Sequence, residues 1–121
     1  MGLIDFRKRY IDRISKLFPD FFVTTEFIDF DKFKKDKCLF VEFDKMSPDV
    51  NATTDCEKSY KITINLVAAC RNNTQDELEI SILETADKLS VLDNLGEFTF
   101  FKYAEANKYL HAVKTSQEIL I

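Results

Sequence analysis

Few residues in this sequence could do acid–base or nucleophilic chemistry. The 121 residues include one histidine, His111, and three cysteines. General acid–base catalysis usually needs a group that titrates near neutral pH and is held by partners. His111 falls inside an alternating segment at 109–115, which favours a structural or solvent-facing strand histidine over a lone general base. We therefore predict no catalytic residue and no enzyme. An enzyme of unusual type would need a deep pocket that gathers His111, a cysteine and several carboxylates.

The three cysteines, Cys38, Cys56 and Cys70, do not suggest a bound metal or a disulfide framework. Their number is odd and they lack C-x-x-C spacing, which fits neither a closed disulfide set nor a zinc ribbon and indicates a reducing compartment. Cys38 and Cys70 lie in apolar strand patterns, where a free cysteine behaves as a small hydrophobic residue. We predict buried structural thiols, with a reactive or ligating role as the alternative.

Cofactor sites have equally little support. The chain has two glycines, Gly2 and Gly96, so a glycine-rich phosphate loop cannot be built. Asp49, Asp55 and Glu57 lack the pattern of a calcium loop. We predict no cofactor and no metal.

The charge balance excludes some classes of partner. A net charge of -4 argues against a general nucleic-acid binder, which normally has a basic stripe. Segment 29–37 mixes four lysines with three aspartates around Phe30 and Phe33. It favours a solvated loop, with a nucleic-acid contact as the alternative. There is no run of about 20 apolar residues and no signal-peptide core, so we expect a cytoplasmic protein that does not enter a membrane.

The first half of the chain predicts one helix and three strands. Apolar residues recur at helical spacing over 3–18 before Pro19. Strands are predicted at 21–28, 38–44 and 59–70, the last from a clear alternation between Tyr60 and Cys70. The stretch 45–58 loses this pattern and gains turn-forming residues, so it is predicted to be a long loop, and such loops are usually functional or mobile.

The second half predicts a helix and a hairpin. Thr74 and Glu77 have capping-box spacing, and an apolar stripe continues to a stop at 94–96. Two strands follow at 97–103 and 108–115. We therefore predict a single α+β domain spanning 1–121 in the order α-β-β-β-α-β-β, with a mostly antiparallel sheet of about five strands packed in two layers against two helices.

Two regions are candidates for a protein interface. Aromatic residues occupy both faces of the 97–103 strand, since Phe98 and Phe100 alternate with Phe101 and Tyr103. One face would meet solvent unless the helix layer or another subunit covers it. We select six interface residues from this strand and from the 45–58 loop: Met46, Pro48, Val50, Phe98, Phe101 and Tyr103.

With these elements in order, the chain resembles the tail terminator and head-tail joining (tail completion) proteins of long-tailed bacteriophages. The matching pieces are the N-terminal helix, the strand CLFVEF, the polar loop DKMSPDVNATTDCEK, the strand YKITINLVAAC, the helix TQDELEISILETADKL and a closing hairpin. The resemblance implies a structural virion protein that forms a homo-oligomeric ring, commonly sixfold, at the end of the tail tube. It implies contacts with the tube or the head connector and offers no catalytic residues.

The function therefore has two leading hypotheses. The first is a ring-forming subunit of virion assembly, cytoplasmic during assembly and later part of the virion. The second is a monomeric protein-binding module or small regulator that uses the same aromatic surfaces.

Overall fold

The computed structural model describes residues 2–26, 36–48, 60–72, 75–105 and 108–121. Within these ranges the chain is an α+β fold with two helices and five strands in the predicted order. The elements are α1 (Leu3–Leu17), β1 (Phe22–Thr24), β2 (Lys37–Pro48), β3 (Tyr60–Asn72), α2 (Gln75–Leu89), β4 (Thr99–Glu105) and β5 (Lys108–Leu120). Neither helix in this part of the chain is long and apolar enough to cross a membrane.

Helix α1 is amphipathic, as the periodicity predicts. Tyr10 and Ile14 are buried beneath it while its charged residues face solvent. The helix ends at Leu17, where the amide of Phe18 still donates to the carbonyl oxygen of Ile14 at 3.0 Å. Pro19 follows, and its ring cannot continue the helical hydrogen bonds.

The sheet has the strand order β1-β2-β3-β5-β4. Strand β1 runs parallel to β2, and all other neighbouring strands are antiparallel. The predicted closing hairpin is confirmed as β4 and β5. Its second strand is longer than the predicted 108–115, because residues 116–120 continue to pair with β3. The first predicted strand, 21–28, is described only to residue 26 and is a strand at Phe22–Thr24.

The predicted boundary between the second strand and the polar loop was wrong. Strand β2 continues to Pro48, so Met46 and Pro48 lie in the sheet, while Val50 falls outside the described residues. The backbone of 45–48 pairs with 60–63 of β3. Main-chain pairing needs no alternation of apolar side chains. Residues 41–48 have no strand on their other side among the described residues, and such an edge tolerates polar residues and proline.

A β-bulge at Asp44 changes which side chains of β2 share a face. The register shifts between Phe43 and Lys45, so that Phe43 pairs with Ile64 and Met46 pairs with Ile62. Phe43 and Met46 therefore point to the same face of the sheet, which strict alternation would not allow.

Helix α2 ends earlier than its apolar stripe predicts. The helix stops at Leu89, although Leu92 is still buried in the turn that follows. Asn94 has a positive φ of 55°, a left-handed conformation that asparagine tolerates better than most residues. The chain therefore reverses direction before Gly96, and Thr74 of the predicted capping box lies outside the described residues.

Both helices contribute to one core on a single face of the sheet. Alternate residues of β3 from Ile62 to Cys70 face this core, as predicted, and the intervening ones face away. The core has members from α1, α2 and the three central strands: Tyr10, Ile14, Phe18, Leu39, Val41, Ile62, Ile64, Leu66, Ala68, Cys70, Leu78, Ile82, Leu89, Leu92 and Val113. The prediction that Cys38 and Cys70 are buried is confirmed, while Cys56 lies outside the described residues.

A buried polar network connects three separate parts of the chain. The Tyr10 hydroxyl donates to Oε1 of Gln117 on β5 at 2.8 Å. Nε2 of Gln117 donates to the carbonyl oxygen of Asp93 at 3.1 Å, and the backbone amide of Glu118 donates to the carbonyl oxygen of Asn94 at 3.1 Å. We call these contacts the Tyr10–Gln117 network; it links α1, β5 and the turn after α2.

Candidate functional site

His111 and Cys70 lie directly opposite each other on β5 and β3. Both side chains are buried, and Nδ1 of His111 has no hydrogen-bond partner among the described residues. Burial lowers the pKa of His111. The positive charge of nearby Lys102 lowers this pKa further, whereas the negative charge of Glu79 raises it. Burial also raises the pKa of the Cys70 thiol to about 11. The pair is therefore neutral near pH 7 and buried away from a substrate in solution.

Sequence reasoning did not find this pairing, because strand register cannot be read from two segments far apart in the chain. The structure confirms His111 as a strand histidine and gives it a buried position. Among the described residues, no group of three histidine, cysteine, aspartate or glutamate side chains is arranged to hold a metal ion.

The burial of His111 predicts a pH dependence of stability. Its folded-state pKa is lowered, whereas in the unfolded chain it is about 6.5. As pH falls below about 6.5, the unfolded state binds a proton that the folded state does not, so the free energy of unfolding decreases. We expect His111→Phe, which cannot titrate, to show a smaller loss between pH 7.5 and 5.5 than the parent chain in urea unfolding. Equal losses would contradict the prediction.

An apolar groove of about 340 Å³ lies between α1 and the outer half of β2. Its apolar lining consists of Leu3, Ile4, Phe6, Phe43, Met46 and Ile62, and its polar lining of Arg7, Asp44 and Lys45. Ile4 is 72% exposed and Met46 is 48% exposed. We call this surface the groove. It would accept an apolar side chain from a partner.

Aromatic packing and the β-bulge together form the groove. The ring of Phe6 packs edge-on against the ring of Phe43, with 6.4 Å between the ring centroids. The ring of Tyr10 packs against the same Phe43 ring, with 6.1 Å between the centroids. These contacts hold the first half of α1 above β2, while the bulge turns Met46 toward the helix. Strand β1 pairs with β2 only at 38–40. The outer edge of β2 from 41 to 48 has no strand partner among the described residues.

The opposite side of the sheet ends in β4, which also has exposed apolar side chains. Phe100 lies opposite Val113 on the helix face and is 46% exposed. Phe101 lies opposite Ala112 on the other face and is 37% exposed. The predicted alternation of aromatics in this strand is thus confirmed for these two positions, and neither face of β4 is fully covered.

Helix α2 extends the apolar surface beside β4. Nζ of Lys102 on β4 lies 3.4 Å from Oε1 of Glu79, which places this side of α2 next to the strand. Leu83 follows Glu79 at four-residue spacing on the same side of the helix and is 54% exposed. We call the surface formed by Glu79, Leu83 and Phe100 the β4 edge surface.

The six predicted interface residues do not form one surface. Met46 lines the groove, and Pro48 ends the same strand. Phe98 precedes β4 and packs against the core, whereas Phe101 is partly exposed on the face away from the helices. The side chain of Tyr103 and all of Val50 lie outside what the structure describes.

Sequence reasoning missed Ile4 and Leu83 as interface residues. Leu83 lies outside the apolar stripe of its own helix, and Ile4 lies at the margin of its stripe. Apolar residues in those positions are often exposed, and this signal could have identified both surfaces.

The face of the sheet away from the helices contains one apolar row across all five strands. Paired residues place Phe22, Cys38, Ala69, Ala112 and Phe101 side by side. The three small residues at its centre are buried, and the phenylalanines at its ends are partly exposed.

No protein-family model matches this sequence, and no curated protein matches it. The resemblance to phage tail proteins therefore stays a hypothesis, and the surfaces must be interpreted from their own chemistry.

Proposed function

We propose that this chain is a structural virion-assembly protein that forms a homo-oligomeric ring, as the resemblance to phage tail terminator and head-tail completion subunits implies. One observation supports it above others: exposed apolar side chains gather beside β4, the last strand on one side of the sheet, and beside the part of β2 that β1 does not pair with. Ile4 and Met46 lie beside β2, and Leu83 and Phe100 lie beside β4. Apolar surface next to unpaired strand edges marks interaction sites, and a ring subunit needs two of them.

The ring would have further partners in the virion. The resemblance suggests the tail tube on one side and the head connector on the other, with assembly in the cytoplasm. The competing proposal is a monomeric binding module, supported by the groove, whose volume is near the lower end of the roughly 300–1,000 Å³ typical of ligand pockets.

Self-association tests the proposed function. We expect light scattering after size-exclusion chromatography to give an oligomer that grows with protein concentration, and negative-stain electron microscopy to show rings. The gene is expected among tail and head-completion genes. A chain that stays monomeric at every concentration and does not bind tail tubes would exclude the proposal. Recovery of one specific non-virion protein by affinity capture would instead favour the binding module.

A further inference from the structure

We infer that the groove of one copy binds the β4 edge surface of a second copy, so that subunits join head to tail with their helices on the same side of a continuous sheet. The inference rests on the proposed function, because it requires the chain to associate with itself. In this arrangement the groove meets the β4 edge surface, and a two-fold symmetric contact, in which a surface meets its own copy, does not occur.

Both surfaces border strand edges that no other strand covers within the part of the chain that the structure describes. Strand β2 has no partner beyond 38–40 on its outer side among the described residues, and β4 is the last strand on the other side of the sheet. Unpaired strand edges readily add a strand from another chain, since main-chain hydrogen bonds then satisfy both. Adding β4 of one copy to β2 of the next would extend the sheet.

The apolar side chains of the two surfaces lie on the same face. Phe100 lies opposite Val113, which belongs to the core beneath the helices. Met46 lies opposite Ile62, another member of that core. In a continuous sheet with the helices on one side, Phe100 of one copy would therefore enter the groove of its neighbour next to Met46.

The two helices have opposite charges at these two ends. Helix α1 has five basic and two acidic side chains, a net charge of +3. Helix α2 has five acidic side chains and one basic side chain, a net charge of -4. Nη2 of Arg7 donates to Oγ1 of Thr25 beyond β1 at 3.1 Å, so α1 extends a basic side chain toward the groove side. Glu79 contacts Lys102 on β4, so α2 extends an acidic side chain toward the β4 side.

Charge complementarity therefore selects the head-to-tail arrangement. Joining groove to β4 edge surface brings the basic helix of one copy next to the acidic helix of the next. A two-fold contact through either surface would instead place like-charged helices together, which is unfavourable. A head-to-tail contact closes into a ring or continues as a filament, depending on the rotation between neighbours.

Lysine substitutions at the two surfaces test the contact, because an edge lysine blocks strand pairing. We expect Met46→Lys and Phe100→Lys each to weaken self-association by about tenfold or more, the effect of losing a buried anchor. Leu120→Lys is the control, since Leu120 is exposed outside both surfaces; it should leave association unchanged. Circular dichroism and thermal unfolding establish that every variant folds. Association should also weaken as salt is raised.

Mixing the two variants gives the sharper result. In a head-to-tail contact the intact β4 edge surface of Met46→Lys fits the intact groove of Phe100→Lys, so two weakly associating proteins should form a one-to-one dimer that grows no further. If both variants associate like the parent chain, or if Phe101→Lys alone abolishes association, the inference is wrong while the proposed function stands. If mixing produces no dimer, the contact is not head to tail. If the parent chain itself is monomeric, the proposed function fails first.

Discussion

Replacing Phe18 with alanine is expected to lower the free energy of unfolding by about 3–5 kcal/mol, the usual cost of removing a buried phenylalanine side chain. Phe18 is 1% exposed. Its ring packs edge-on against the ring of Phe21, with 5.4 Å between the ring centroids. Nζ of Lys88 lies 5.2 Å from the centroid of the Phe18 ring. The ring thus joins the end of α1, the start of β1 and the end of α2, and its loss would leave a cavity where these three elements meet. Urea unfolding followed by circular dichroism measures the change.

A phenylalanine at the surface provides the matched control. Phe100→Ala removes the same atoms from a half-exposed position on β4, so we expect a loss below about 1 kcal/mol at concentrations where the chain is monomeric. Equal losses for the two variants would mean that Phe18 does not connect the elements as described.

Breaking the Tyr10–Gln117 network should have the second largest effect. Tyr10→Phe leaves Oε1 of the buried Gln117 without its donor, and we expect it to cost about 1–3 kcal/mol. Gln117→Leu should cost a similar amount, because it leaves the Tyr10 hydroxyl buried without an acceptor. Burial already raises the pKa of that hydroxyl, a shift that Arg13 partly offsets. The group therefore stays a donor throughout the accessible pH range.

The double variant distinguishes a coupled pair from two independent sites. In the double variant the Asp93 carbonyl still loses its donor, as in Gln117→Leu alone, but neither the Tyr10 hydroxyl nor Oε1 of Gln117 remains unsatisfied. Tyr10→Phe with Gln117→Leu should therefore cost clearly less than the sum of the single changes. Thr25→Ala removes an exposed hydrogen bond to Arg7 and should change stability by less than about 0.5 kcal/mol. Strictly additive losses at Tyr10 and Gln117 would contradict the network.

The elements of this fold could be predicted because local patterns determine them. The stripe that includes Tyr10 and Ile14 needs a helix to gather its apolar side chains, and the alternation from Tyr60 to Cys70 needs a strand. Boundaries were less predictable. The end of β2 at Pro48 depends on a partner strand, which no local pattern reports, and Asn94 could supply a left-handed turn before the more obvious Gly96.

Interface residues were harder to predict than elements, because exposure is a property of the whole fold. Phe98 was predicted to be an interface residue, yet its partly buried side chain packs against the core. Phe100 was not selected and is exposed, because α2 lies above β3 and β5 and does not cover β4. The sequence placed aromatics on both faces of this strand but could not say which face would be covered.

The scarcity of groups for catalysis follows from composition, which the sequence determines: one histidine and two glycines restrict what any fold can assemble. Tertiary structure decided that the histidine lies opposite Cys70 in a buried, neutral pair. It also placed basic α1 beside the groove and acidic α2 beside β4. Such placements depend on strand register and strand order, which join residues far apart in the chain and which no local pattern encodes.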